Sequence, residues 1–278
     1  MGERFTVKLK AMTLIKYIIL ILILIIFIFP LYYLLSCSFT SEPLIFEGVL
    51  IPNFDPSNYT KVLTGFRGVG GRGIVNSLVI SSSCVIVALL VGLPAAYAIS
   101  RHKFMADKHL FFWFLTNRMT PPAVLILPYL IMFRAMGIWD TFAGVILAYN
   151  VFNIPVAVWL LTSFMASIPK EIDEAAFIDG YSLAKFFRRI FLPLCRPGIG
   201  VTSFFVWMYS WSEMFLASII TSVNTKPLNP QLLIVLGAPP VTNYGMAAAG
   251  GVITILPGLL LLYWARIYLA KGFTFGRI

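Results

Sequence analysis

Charge is what this chain has least of. Asp, Glu, Lys and Arg make up 12% of its 278 residues, against about a quarter in an ordinary soluble domain. Acidic residues number 11 and histidines 2, so the convergent acids, bases and metal ligands of an enzyme site are scarce from the outset. His102 and His109 share one short polar stretch with no thiol or carboxylate cluster around them, and read as solvated residues. The 3 cysteines, Cys37, Cys84 and Cys195, lie far apart in or beside apolar runs. Without a CxxC pair they suggest neither a disulfide framework nor a metal cluster, only small packing side chains. A nucleotide loop is missing too. "GVGGRG", residues 68–73, fits G-x-G-x-x-G formally but precedes an apolar run, and Ile74 stands where a phosphate loop needs Lys. It reads as a flexible loop, because the fingerprint needs a strand before it and a helix packed on a sheet after it.

What the chain has in excess is apolar surface: 59% hydrophobic residues, 15% aromatic and a mean hydropathy of +0.89. Such a chain turns most of its surface to lipid, where exposed charge is costly. Six nearly uncharged runs, at 17–39, 74–100, 110–133, 142–166, 199–221 and 244–268, are long enough to cross about 30 Å of hydrocarbon at about 1.5 Å per residue. Lys8, Lys10 and Lys16 precede the first run as they would in a secretory leader. That run is too long for a leader's apolar core, and no small-x-small cleavage site follows, so it is expected to remain as a helix. The expected architecture is an all-α integral membrane protein with six transmembrane helices over 17–268.

Lysine and arginine orient it. With the N-terminus inside, fifteen of the 21 basic residues fall on the cytoplasmic side (in 1–16, the loop after the second run, 167–198 and the 269–278 tail, with Arg266 at the inner end of the sixth run) and five outside. Both termini are then cytoplasmic. The net charge of +10 follows from this topology and does not imply a nucleic-acid partner.

Segment 167–198 is the most polar part of the chain. Ser167 is placed to cap a helix, Pro169 to open its first turn, and Glu171, Asp173 and Glu174 to sit at its positive end. Gly180 is placed to end it, and Ser182 to cap a second short helix carrying Arg188 and Arg189, with Pro193 and Pro197 beyond it. The result is a helix-turn-helix in the cytoplasm. On pattern alone it either docks in a groove of a partner or lies amphipathically on the bilayer.

"EAAFIDG", followed by Ile190, "LPL" and Pro197–Gly198, closely resembles the EAA signature of ABC-importer permease subunits. The likeness extends to "NSLVI", "LPAAYAISRHKF", "NRMTPPAVLILPYLIMFRAMGIWDT", "YSWSEMFLASIIT" and "AKGFTFG", which resemble the shorter, six-helix subunit of maltose-transporter type carbohydrate permeases. The resemblance implies the type I ABC importer permease fold, with 167–198 as a coupling loop held in a cleft of a separate ATPase. Glu174, Ala175, Ala176, Asp179, Gly180, Leu192 and Pro193 would make that dock. It further implies a bacterial cytoplasmic (inner) membrane location and a second, non-identical permease. Two ATPase subunits carrying ATP and Mg, and an extracytoplasmic solute-binding protein, complete the implied assembly, with no cofactor in this chain.

Candidate pathway residues come from cost. Glu213 is the one acidic residue well inside a run, and Asn117 and Arg118 form the other polar pair there, each expected to face a cavity or a partner helix. Arg118 is placed to neutralise Glu213. Trp207, Tyr209 and Trp211 offer rings and polar tips to a polyhydroxylated solute. A gate or interface network and direct solute contact both fit these residues. Pro155 and Pro257 are hinge candidates, "GMAAAGG" (245–251) is a close-packing face, and "IPNFDPSNYTKVL" is an ordered turn followed by a short amphipathic helix. A sugar or polyol is the expected solute. The alternatives are a phosphorylated polyol such as a glycerophosphate, a membrane scaffold, or a lipid-modifying enzyme.

Overall fold

The computed structural model describes residues 2–48, 50–64, 70–102, 107–237 and 243–275, with the side chains of 2–11, 107, 108, 111, 115, 118, 235–237 and 269–275 outside the description. All regular structure in the described residues is helical. The long helices are α1 (Gly2–Ser38), α4 (Gly71–Arg101), α7 (Phe142–Ala166), α11 (Arg196–Ser212) and α14 (Tyr244–Phe275). Shorter ones are α2 (Glu42–Phe46), α3 (Ser57–Thr64), α5 (Asp107–Met119), α6 (Pro122–Ala135), α8 (Glu171–Ile178), α9 (Leu183–Phe186), α10 (Leu192–Leu194), α12 (Phe215–Ile220) and α13 (Leu228–Gly237). A π-helical turn, Phe187–Phe191, joins α9 to α10.

α4 and α7 form the centre, with the most extensive contact of any pair; α11 packs on both and on α14. The reason is visible along α7, where Val145, Ala148, Tyr149, Phe152, Val156, Ala157, Val158 and Leu161 are all buried. A helix apolar on every side belongs in the interior. α1 is the opposite case: its Met12–Ser38 stretch is the most apolar in the chain, yet its central window is 0% buried. It joins the body through α14, where Leu34 lies over Gly251.

Among the described residues, four helices are long and apolar enough to cross a membrane: Met12–Ser38, Gly71–Arg101, Phe142–Ala166 and Tyr244–Tyr268. The other two expected spans are broken. The run at 110–133 divides into α5 and α6 at Thr120–Pro121, where Pro121 has extended geometry (ψ 125°). Proline disfavours the helical region for the residue before it and lacks the N–H that the helix needs. The run at 199–221 stops at Ser212; Glu213 turns to ψ 130° and α12 restarts at Phe215. α7 and α14 instead run unbroken through Pro155 and Pro257, so the expected hinges are not where these helices interrupt. α14 also continues past 268 to Phe275, through most of the expected tail.

The small-residue face of α14 serves close approach. A methyl group on Gly245 would meet Asn58 Nδ2 at 2.5 Å, and one on Gly250 would overlap Leu232. Asn58 in turn donates to the carbonyls of Ser38 and Thr40, and Glu42 accepts from the Tyr244 amide at 2.7 Å. The segment after α1 is thus the ordered turn and short helix expected there. Of "GVGGRG", residues 68 and 69 lie outside the described residues; the Gly70 amide donates to Gln231 Oε1 at 3.1 Å and α4 follows directly.

Candidate functional site: a docking loop, a cavity and two fastenings

The loop after α7 is built by local rules. Ser167 closes α7 instead of opening α8, its Oγ donating back to the Phe164 carbonyl at 2.7 Å. α8 starts at Glu171 with Lys170 in the capping position and Glu171, Asp173 and Glu174 in its first turn. It ends where the Gly180 amide bonds to the Phe177 carbonyl and that of Tyr181 to the Ala176 carbonyl. Gly180 has φ +80°, a conformation that costs a side-chain-bearing residue about 1 kcal/mol or more.

α8 has two faces. Ile172, Asp173 and Ala176 are turned inward, while Glu171, Glu174, Ala175 and Ile178 are exposed. Of the candidate docking residues, Glu174, Ala175, Asp179 and Gly180 therefore lie on the exposed face or tip. Ala176 packs into the chain's own core, in one cluster with Tyr97, Leu161, Met165, Phe186 and Phe191. Leu192 and Pro193 are half-buried in α10. Ile178 is 85% exposed, an apolar tip on a polar loop.

Behind the inward face stands a contact that the sequence reading did not single out. Arg101, the last residue of α4, meets Asp173 through two parallel bonds, Nε to Oδ2 at 2.8 Å and Nη2 to Oδ1 at 3.2 Å. Its Nη1 donates to the Met165 carbonyl near the end of α7 at 3.1 Å, and its guanidinium lies 5.0 Å from the Phe191 ring centroid. The Tyr97 hydroxyl donates to Asp173 Oδ2 at 3.3 Å. The two charged side chains are 5% and 9% exposed.

The break after α11 opens a cavity of ≈ 280 Å³ lined by Tyr149, Asn153, Tyr209, Ser212 and Glu213, among others. Both carboxylate oxygens of Glu213 accept backbone bonds, from Leu216 at 3.1 Å and Ala217 at 3.3 Å. The acid therefore caps α12 from within the break. The side chain of Arg118 lies outside the described residues, and its expected pairing with Glu213 with it. Asn117 lines a different hollow, of ≈ 400 Å³, with Trp113, Thr116, Thr120 and Tyr129. The tryptophans are placed for packing: Trp207 stacks on Trp211 with ring centroids 4.8 Å apart. Trp211 is 3% exposed, and its Nε1 donates to the Thr254 carbonyl of α14. Of the pathway candidates, Tyr209 and Glu213 share the cavity at the α11–α12 break.

At the other end of α4, Asp140 fastens the α6–α7 turn to the loop 221–227. Its carboxylate accepts from the amides of Ser222 (2.8 Å), Asn224 and Thr225 and from the Asn224 and Thr225 side chains. Burial pushes its carboxyl upward, but these hydrogen bonds outweigh it and hold the group below the usual carboxylate range. Asn76 of α4 extends the knot, donating to the carbonyls of Asn224 and Lys226. Among the described residues, no group of three His, Cys, Asp or Glu side chains is placed to hold a metal ion.

Comparison with known proteins agrees with this arrangement. The trehalose transport system permease protein SugB of Mycobacterium tuberculosis is 28% identical over 90% of this chain and 91% of its own length. The diacetylchitobiose uptake system permease protein DasC of Streptomyces coelicolor is 26% identical over 74% of each chain. In fold, the chain is similar to a crystal structure of a bacterial ABC transporter involved in alginate import, with a TM-score of 0.76 at 19% identity, covering 93% of this chain and 96% of that one. Residues 88–273 match a single family profile, one of transport components rather than enzymes. The chain belongs to the family of inner membrane components of binding-protein-dependent transport systems.

Proposed function

We propose that this protein is one half of the membrane pathway of an ATP-driven sugar importer and that α8 is its docking element for a separate ATPase. The observation that carries the reading is the two-faced α8. Its Ala175 and Ile178 are exposed beside Glu171 and Glu174, while the inward face is fixed to the body through Asp173. An exposed apolar tip flanked by carboxylates suits a groove in a partner better than water. The broken third and fifth runs are read as spans whose irregular backbone borders a cavity or is buried in protein, the settings where a membrane tolerates it. In this reading six spans cross the membrane, both termini and α8 face the cytoplasm, and the Asp140 knot faces outward toward a solute-binding protein. A second, non-identical permease completes the pathway, and two ATPase subunits supply ATP and Mg.

The sugar class is supported by the relatives named for trehalose and diacetylchitobiose transport and by the cavity itself. Tyr149, Asn153, Tyr209 and Ser212 present hydroxyls, an amide and rings, and Glu213 brings the one charge among its lining residues, a negative one. A carboxylate there disfavours a phosphorylated solute, so the glycerophosphate alternative is not favoured. The test is site-directed cross-linking in intact membrane vesicles. A cysteine at Ala175 is expected to trap a nucleotide-hydrolysing subunit, and one at the inward Ala176 to trap none. Failure of Ala175→Cys to capture any ATPase would end the docking role.

A further inference from the structure

α8 is short, and its backing is thin. Its backbone runs mainly against α9, itself one turn long, and scarcely against the long helices. Ala176 shares a buried cluster with Tyr97, Leu161 and Met165, and the polar tie of α8 to those helices is the Asp173 carboxylate. That carboxylate takes both prongs of the Arg101 fork and the Tyr97 hydroxyl, all from the last turn and a half of α4. Arg101 spends its third nitrogen on Met165 O, one of the carbonyls that the end of α7 leaves without a helical partner. Phe191 covers its face, and the Tyr97 ring meets Phe187 and Phe191 edge-on at 5.3 and 4.8 Å. One guanidinium therefore holds the ends of α4 and α7, the docking helix and the π-helical turn in fixed relative positions.

We infer that the Arg101–Asp173 pair is the rigid link through which displacement of α8 reaches α4 and α7, making it a positioning pair for energy coupling. The inference rests on the docking role proposed above. Its chemistry favours stiffness. A bidentate guanidinium–carboxylate contact fixes orientation as well as distance, which a single ammonium contact does not. Burial keeps water and salt from screening it. α4 and α7 carry Cys84, Tyr149 and Asn153, and Tyr149 and Asn153 line the cavity at the α11–α12 break. A push on Asp173 is thus delivered to α7, which forms part of the cavity wall, and to α4 packed against it.

The experiment uses the complete transporter, with both permeases, the ATPase and the solute-binding protein, in proteoliposomes. Solute uptake, ATP hydrolysis and retention of the ATPase during purification are read separately. Arg101→Lys keeps the charge and loses the fork; Asp173→Asn keeps the shape and loses the charge. Each variant is expected to retain the ATPase and continue hydrolysis while solute imported per ATP falls about tenfold, within the span of ordinary coupling energies. Tyr97→Phe, which removes one hydrogen bond, is expected to lower that ratio only slightly. Uptake and hydrolysis falling in proportion, or both variants failing to assemble, would overturn the link and leave the pair a folding element. A wild-type complex that retains no ATPase would instead sink the docking role itself, and with it the link.

Discussion

An aspartate makes a fastening near each end of α4, Asp173 to α4 itself and Asp140 to the loop that Asn76 of α4 also holds, and the two are held by different means. Asp173 meets a guanidinium from a helix 72 positions away and is almost wholly buried. Among the described residues Asp140 pairs with no cation; it gathers amides and small polar side chains of one loop and stays partly exposed. The first arrangement fixes helices against each other, so breaking it disturbs the packing of long elements. The second fixes the shape of a loop, and breaking it should be felt locally.

The largest effect is expected at Asp173. Asp173→Ala leaves Arg101 buried without a counter-charge, a change that costs about 3–5 kcal/mol. The double variant Arg101→Met, Asp173→Leu removes both charges and should recover most of that stability. Thermal unfolding of the purified protein in detergent ranks the three. If the single and double variants are equally destabilised, the contrast between the two ends is lost, since the pair would then act no differently from a set of neutral hydrogen bonds.

Asp140 comes next. Its φ of +54° is tolerated by Asp and Asn better than by other side chains, so Asp140→Asn keeps the turn and part of the hydrogen bonding. Asp140→Ala loses both and should cost about 2–3 kcal/mol. The pH dependence has a definite sign. The folded carboxyl titrates below its unfolded value, which is about 3.9. Its contribution is therefore complete above that pH and lost as pH falls through the folded value. Wild-type thermal stability should drop in that acid range, and Asp140→Asn should show less of the drop. Identical acid profiles would mean that the loop is held by something else.

How far the sequence could be read follows from how local each feature is. The docking loop was legible because its signals are consecutive: acids at the start of α8, Gly180 at its end, prolines beyond. The long helices α1, α4, α7 and α14 were likewise carried by continuous apolar runs, although α1 begins well before 17 and α14 runs on past 268, and the central place of α7 was not legible in them. Asp173 itself lay in plain sight among those acids, yet its role depends on Arg101, and nothing in either segment names the other. Asp140 is harder still, because its partners are chiefly backbone amides, which every sequence has. The break at Thr120 did carry a signal in the paired Pro121–Pro122, which hydropathy averaging passes over. The break at Glu213 carried a weaker one, since an acid in an apolar run marks cost without saying whether it caps, pairs or binds.

The smallest expected effect tests that last ambiguity. Both carboxylate oxygens of Glu213 are engaged by the first amides of α12, so its work is to hold the break at a fixed angle. Glu213→Gln keeps one acceptor and loses the charge at a helix start, a change of about 0.5–1 kcal/mol, or a factor of about two to five. The loss should appear in the maximal rate of uptake, because the altered break affects how the cavity opens, while the apparent KM for the solute stays constant. A raised KM with unchanged maximal rate would make Glu213 a direct partner of a sugar hydroxyl. No change in either would remove it from the pathway and would place the working part of this cavity on Tyr149, Asn153 and Tyr209 instead.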